Sequence, residues 1–171
     1  SISLTSKTGV ITTGDVNTSG NIGGQVFFNA ATAIKAGRIE TAGTTRAGNV
    51  ILDPSGDVVV TSIDASSPLQ GGNVTLVSTG GNLIITSPIA SSITASCVGA
   101  SICTSGGTGG NITLQTGGLN PFVVGDAEIN GSSGILTTGL TTVTLGTSIP
   151  ALLGSSFTQG SISVTPGGSL I

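Results

Sequence analysis

Seven carboxylates, four basic side chains and two cysteines are all the ionisable or redox chemistry the 171-residue chain contains; it has no histidine. The carboxylates are Asp15, Glu40, Asp53, Asp57, Asp64, Asp126 and Glu128. Without histidine, a nucleophile–base pair of the usual serine or cysteine type cannot be built. A serine–lysine pair is allowed by spacing, but nothing in the pattern supports one. The double glycines are not phosphate loops, because none precedes a helix or the Lys-Ser/Thr pair that a nucleotide site needs. What remains are paired charges. If the segments around Val16, Ile39 and Ile63 stack in register, Asp15 meets Arg38 one position before the anchors, and Glu40 meets Asp64 one position after them. In functional terms that is a calcium or acid–base pair beside an arginine. The plainer expectation is a surface salt bridge next to two solvated carboxylates, worth little. Calcium wants six or more oxygens, and no dense acidic cluster exists. Asp126 and Glu128 are expected to face solvent. No cofactor and no catalysis are expected.

Cys97 and Cys103 lie six apart in a loop rich in Ser, Gly and Ala. An even count in so uncharged a chain predicts one short disulfide and an oxidising compartment. Two sulfurs alone are too few ligands for a metal.

The elements that must position these residues repeat. The stretch from Gly71 to Ser87, GGNVTLVSTGGNLIITS, holds two short runs rich in β-branched residues, each after a Gly-Gly pair. Period-two alternation predicts strands. The glycines are expected to supply the positive φ of tight turns. The same pattern recurs at SISLTS (1–6), QVFFNA (25–30), NVILDP (49–54), NVTLVS (73–78), NITLQT (111–116) and SISVTP (161–166). The first three steps are each 24 residues, then 38 and 50, and a weaker copy at 141–147 divides the last. Second strands follow at 9–13, 33–36, 57–61, 82–86, 122–124, 148–153 and 168–171. Third elements follow at 15–20, 38–43, 62–67, 88–92, 128–133 and 156–160, anchored by Val16, Ile39, Ile63, Ile89, Ile129 and Phe157.

Three short strands in a unit of constant length make one triangular coil of a parallel β-helix. The expected fold is therefore an all-β, right-handed parallel β-helix of six to seven coils, one domain over 1–171, with loops inserted at 91–109 and 117–125. At about 4.8 Å per coil it is a rod roughly 30 Å long. Handedness follows the usual sense of parallel crossovers. A β-sandwich is the alternative, disfavoured by the fixed step.

Composition narrows the function. Charged residues are 6% of the chain against about 25% in an ordinary soluble protein. The net charge is −3 and aromatics are 2%, which leaves no basic patch or stacking platform for nucleic acid. No apolar run approaches the length of a membrane span. Ser1 to Val10 lacks the charged start and apolar block of a signal peptide, so an exported protein would be represented here by a mature or excised piece.

The segments TGDVNTSGNIGGQV, SIDASSPLQGGNVTLVSTGGNLIIT and GGNITLQTGG resemble the repeat body of filamentous-haemagglutinin-like exoproteins of Gram-negative bacteria, cyanobacteria included. The resemblance spans most of the chain and is a low-complexity pattern. It implies a right-handed β-helix with an extracellular structural or adhesive role. The family's secretion domain carries Asn-Pro-Asn motifs near its start; only Asn120-Pro121 occurs here, so the resemblance is to the rod and not to that domain.

Apolar residues that alternation turns outward mark a contact surface: Phe27 beside Ile51, and Val59 with Ile84, unless the cysteine loop covers them. Ser1 begins on a first strand and Ile171 stops mid-coil, so the ends add to the expected assembly surface, for a longer parent rod or for stacked copies. Four glycosylation sequons, at Asn17, Asn73, Asn111 and Asn130, are expected by chance in so Asn/Ser/Thr-rich a chain; Asn73 and Asn111 are better read as amide ladders at a corner. The reading that results is an extracellular or cell-surface, non-catalytic rod. Its expected partners are itself and cell-surface glycans. Two other readings are weighed. One is a carbohydrate-binding or polysaccharide-cleaving β-helix. The other is an ice-binding β-helix, which would need unbroken outward threonine rows; those rows are interrupted by Val and Ile.

Overall fold

A computed structural model describes residues 1–92, 94–118, 120–144, 146, 148–149 and 162–166. Its strands form three parallel-stacked faces. The first face is a six-stranded sheet of Ile2–Ser6, Val26–Ala30, Val50–Pro54, Val74–Val77, Ile112–Thr116 and Ile162–Pro166, in chain order. Every neighbouring pair is parallel, and Ile2, Val26, Val50, Val74, Ile112 and Ile162 stand in one register column. Ile11–Thr12, Ile34–Ala36, Val58–Val60 and Leu83–Ile85 stack in the same way as the second face. Val16–Asn17, Ile39–Glu40 and Ile63–Asp64 begin the third. The fold is a parallel β-helix, and the coil-to-coil parallel pairing rules out the sandwich.

Alternation then does what period-two residues must. Val26, Phe28, Val50, Leu52, Val74, Leu76, Ile112 and Leu114 point inward and are buried, as are Ile34, Val58, Val60, Leu83, Ile85, Ile39 and Ile63 from the other faces. One continuous core fills the rod. Leu4 occupies the inward position of the first coil but stays 37% exposed, because it has a neighbour on one side only.

The glycine pairs at 71–72 and 80–81 are not where the backbone turns left-handed. Positive φ among the described residues falls at Gly99, Gly109, Gly125, Gly139 and Gly146. Gly48 and Gly72 are needed for close approach instead. A Cβ on Gly48 would fall on the carbonyl oxygen of Gly24, and one on Gly72 would fall on that of Gly48. Gly110 stacks on Gly72 in the same way. Within each coil the same glycine closes the excursion before the first strand. Gly24 N–H donates to Thr18 O, Gly48 to Thr41, Gly72 to Ala65 and Gly110 to Thr104, at 2.8–2.9 Å.

The corners relay hydrogen bonds along the rod. Asn49 Oδ1 accepts the N–H of Asn73 at 2.8 Å, and Asn73 Oδ1 accepts that of Asn111 at 2.9 Å. This is the expected amide ladder, with the partner a backbone N–H instead of a second amide. Asp57 Oδ1 does the same for Asn82, and Ser1 Oγ for Gln25. Asn130 is buried, its Nδ2 donating to Asn120 O and its Oδ1 accepting from Leu83 N–H.

Several expected placements are corrected. The third-face strand of the fourth coil is Ala100–Cys103, not 88–92: Ile63 pairs with Ile102, and Ile89 lies in a separate small cluster with Cys97, Ala100 and Cys103. The inserted segment therefore supplies a wall strand, because Ile102 offers a buried anchor in register where Ile89 does not. In the fifth coil the third-face strand is Ile135–Thr137, with Leu136 as its anchor. Ile129 is 55% exposed, and Gly131–Ser132 belongs to the second face. The weak copy at 141–147 is not a first strand: Thr142–Val143 runs antiparallel to Leu136–Thr137 on the third face. A fourth, short ladder of Gly20–Ile22 on Gly43–Arg46, continued by an Arg46–Gln70 bridge, occupies what the sequence pattern reads as turn. The expected anchor Phe157 and the strand at 168–171 lie outside the described residues.

Gly48→Ala should destabilise the fold by about 1–3 kcal/mol through forced overpacking against the coil below. Gly14→Ala, with open space around its added methyl, should be near neutral. Denaturant titration of both variants checks the pair, and equal midpoints would refute the close-approach role.

Candidate functional site

Three of the chain's eleven charged side chains, Arg38, Glu40 and Asp64, converge on the third face. Register sets this up: Asn17, Glu40 and Asp64 stand in one outward column, with Cys103 and Thr137 next along it. Asp15 lies beside Arg38 as the pattern predicts, but it binds the backbone. Its Oδ1 accepts the Arg38 N–H at 2.8 Å, another corner relay. The Arg38 guanidinium turns instead to the column, with Nη2 3.5 Å from Glu40 Oε2 and 3.5 Å from Asp64 Oδ2. Asn17 Nδ2 donates to Glu40 Oε2 at 3.3 Å.

Asp64 is not the solvated carboxylate that alternation implies. It is fully buried. Its Oδ1 accepts from Ser66 N–H at 3.1 Å and from Ser66 Oγ at 2.6 Å. The cover is the inserted segment. Arg38 Nη2 donates to Ser91 O at 2.8 Å, 53 residues away in sequence, and Ser66 Oγ meets Ser92 Oγ at 3.0 Å. Farther along, Ser96 Oγ meets Ser105 Oγ at 2.6 Å. The Cys97–Cys103 disulfide forms as expected, and both residues are fully buried. Cys103 belongs to the outward column, so the bridge staples the insert to the outer wall. Arg38 clamps one end of a strap and the disulfide holds the other.

The burial follows from electrostatics. A buried carboxylate is tolerated only when paired and hydrogen-bonded. Arg38 and Ser66 supply both. Arg38 and Glu40 keep 27% and 23% of their side-chain surface, and with Ser91 and Ser92 they line an open hollow of about 320 Å³. Donor and acceptor groups lie side by side there. Among the described residues no three carboxylate or sulfur side chains come together in a way that could hold a metal ion. Asp126 and Glu128 are exposed as expected, though in a turn, where Asp126 Oδ1 accepts the Glu128 N–H.

The expected assembly residues divide between faces. Phe27 and Ile51 are register neighbours on the first face, each 37% exposed and flanked by Ser3 and Thr75. Val59 and Ile84 are neighbours on the second face and are half-buried. The strap lies on the third face. Ser1 is exposed, and Ile171 lies outside the described residues. Among the aliphatics more exposed than these are Ile22 at 67%, Leu69 at 60% and Leu140 at 62%. They sit in segments read from sequence as turns, where alternation gives no inside or outside.

No family model, curated protein or solved structure matches the chain. No helix of the described residues is long and apolar enough to cross a membrane.

Arg38→Met should cost about 2–3 kcal/mol by leaving Asp64 buried without its partner, discounted because the guanidinium is partly in water. Arg38→Met with Asp64→Asn should recover part of that loss; a double-mutant cycle that is strictly additive would refute the coupling. Cys97→Ser should lose about 2 kcal/mol, the loop-closure entropy of a short disulfide ring, read by denaturant midpoint with and without reductant.

Proposed function

We propose that the chain is a non-catalytic structural rod of an extracellular or cell-surface protein, adhesive or filament-forming, of the kind found in filamentous-haemagglutinin-like exoproteins. One observation carries this. The first-face register passes through all six strands without a shift, although Ile112 and Ile162 are fifty residues apart. Extra chain is looped out or folded onto the outer wall, and the ladder is kept. What is kept is the register of one column, which suits a mechanical role. The surface agrees: neutral hydroxyl and amide groups face out, and so few charges give little self-repulsion between neighbouring rods. Exposed Phe27 and Ile51, adjacent on the first face, provide an apolar contact point for lateral association with a second copy or with a longer parent rod. An oxidising exterior fits the Cys97–Cys103 bridge.

A second reading, a carbohydrate-binding or polysaccharide-cleaving β-helix, is favoured by the hollow at Arg38, Glu40, Ser91 and Ser92, whose mixed donors and acceptors suit sugar hydroxyls.

Negative-stain images and sedimentation velocity of the purified chain should show short rods or threads with a high frictional ratio. Compact, monodisperse globular particles would sink the rod reading. A glycan screen with and without calcium tests the second: neither binding nor cleavage would remove it.

A further inference from the structure

We propose that the strands Phe122–Val124, Thr142–Val143 and Ser148–Ile149 form an end-stop that blocks a further coil from docking on the far end of the rod. The meaning of this stop rests on the rod reading; its existence does not.

Through the first four coils, each strand lands one level beyond its predecessor on all three faces, in chain order. After Ile112–Thr116 this winding breaks. Gly131–Ser132 takes the place next to Leu83–Ile85, and Phe122–Val124, although earlier in the chain, lies one level farther out. Two reversed strands then close the faces. Ser148–Ile149 runs antiparallel to Phe122–Val123, and Thr142–Val143 runs antiparallel to Leu136–Thr137. The outermost described strand is parallel on the first face alone, at Ile162–Pro166.

A docking coil, of whatever origin, would have to satisfy two patterns at once. Parallel ladders carry evenly spaced, slanted bonds; antiparallel ladders alternate close and wide pairs. A coil in register with the first face is therefore mismatched on the other two. Very short edge strands are a known way to prevent edge-to-edge growth, and solenoids need distinct terminal units.

The core is closed at the same place. Phe122 and Val124 are fully buried, and Val143 packs on the core from outside. Leu4, at the opposite end of the described rod, keeps 37% of its surface. Several backbone groups of the stop are paired. Val123 N–H donates to Asn130 O at 3.0 Å, Gly125 to Ser132 O at 2.6 Å and Gly146 to Val124 O at 2.6 Å. The hairpin turn closes through Thr138 N–H to Thr141 O at 2.9 Å, with Gly139 at φ +80°. Copies that associate then do so along their sides or through the other rim.

Hydrogen exchange on the intact chain tests this. The amides of Val123, Gly125 and Gly146 should exchange at least ~100-fold more slowly than unfolded-chain rates, as in a cooperative unit; anything less overturns the stop. A Phe122→Ala/Val143→Asp chain that keeps its strand signal by circular dichroism should form assemblies several-fold longer than wild type, and unchanged sedimentation would equally overturn it. Should that variant not fold, the exchange result decides alone. Globular particles with protected amides would end the rod reading and leave the stop standing; rods with unprotected amides would do the reverse.

Discussion

Everything in this molecule depends on how closely successive coils can approach at the corner before the first strand. Gly24, Gly48, Gly72 and Gly110 sit one on another there, each with its added Cβ forbidden by a backbone atom of its neighbour. The approach sets the strand spacing on all faces at once, since three strands of a coil are rigidly joined. Parallel pairing then follows, and with it the columns of Val, Ile and Leu that fill the interior. A glycine lost at this corner would lift one coil off another, and every ladder bond and core contact at that level would weaken together.

The same geometry explains the near absence of charge. Several corner side chains are committed to a backbone N–H one coil away, a task for a small carbonyl or hydroxyl group. Asn49, Asn73, Asp57 and Asp15 all perform it, so Asp15 and Asp57 are structural acceptors. Three other charges, Arg38, Glu40 and Asp64, gather where the wall is covered. Asp64 can be buried because Arg38 reaches it, and Arg38 in turn fixes the strap through Ser91. The polar cluster and the disulfide are thus two ends of one device that seals an insertion against the rod.

Much of the fold was legible because strand alternation and a constant step are local properties. The first strands at 1–6, 25–30, 49–54, 73–78, 111–116 and 161–166 needed only apolar residues at their second and fourth positions. Legibility failed where the chain leaves the step. Ile89 and Ile102 are both plausible anchors, and only the register beside Ile63 selects Ile102. Ile129 and Leu136 pose the same ambiguity, settled by Leu136 being buried. The ladder from Gly20 to Gln70 has no apolar alternation to announce it, because its strands do not line the main core.

The sequence by itself determined the β-helix, the first face, the inward columns of the first three coils, the disulfide pair and the stacking of Glu40 on Asp64. These depend on residue type and spacing along the chain. Only the tertiary structure decided that Asp64 is dry, that Arg38 binds a loop 53 residues away, and that the winding reverses at Thr142–Val143 and Ser148–Ile149. Burial and strand direction depend on what lies across space from a residue, and two segments of equal pattern can enter the same column from opposite directions.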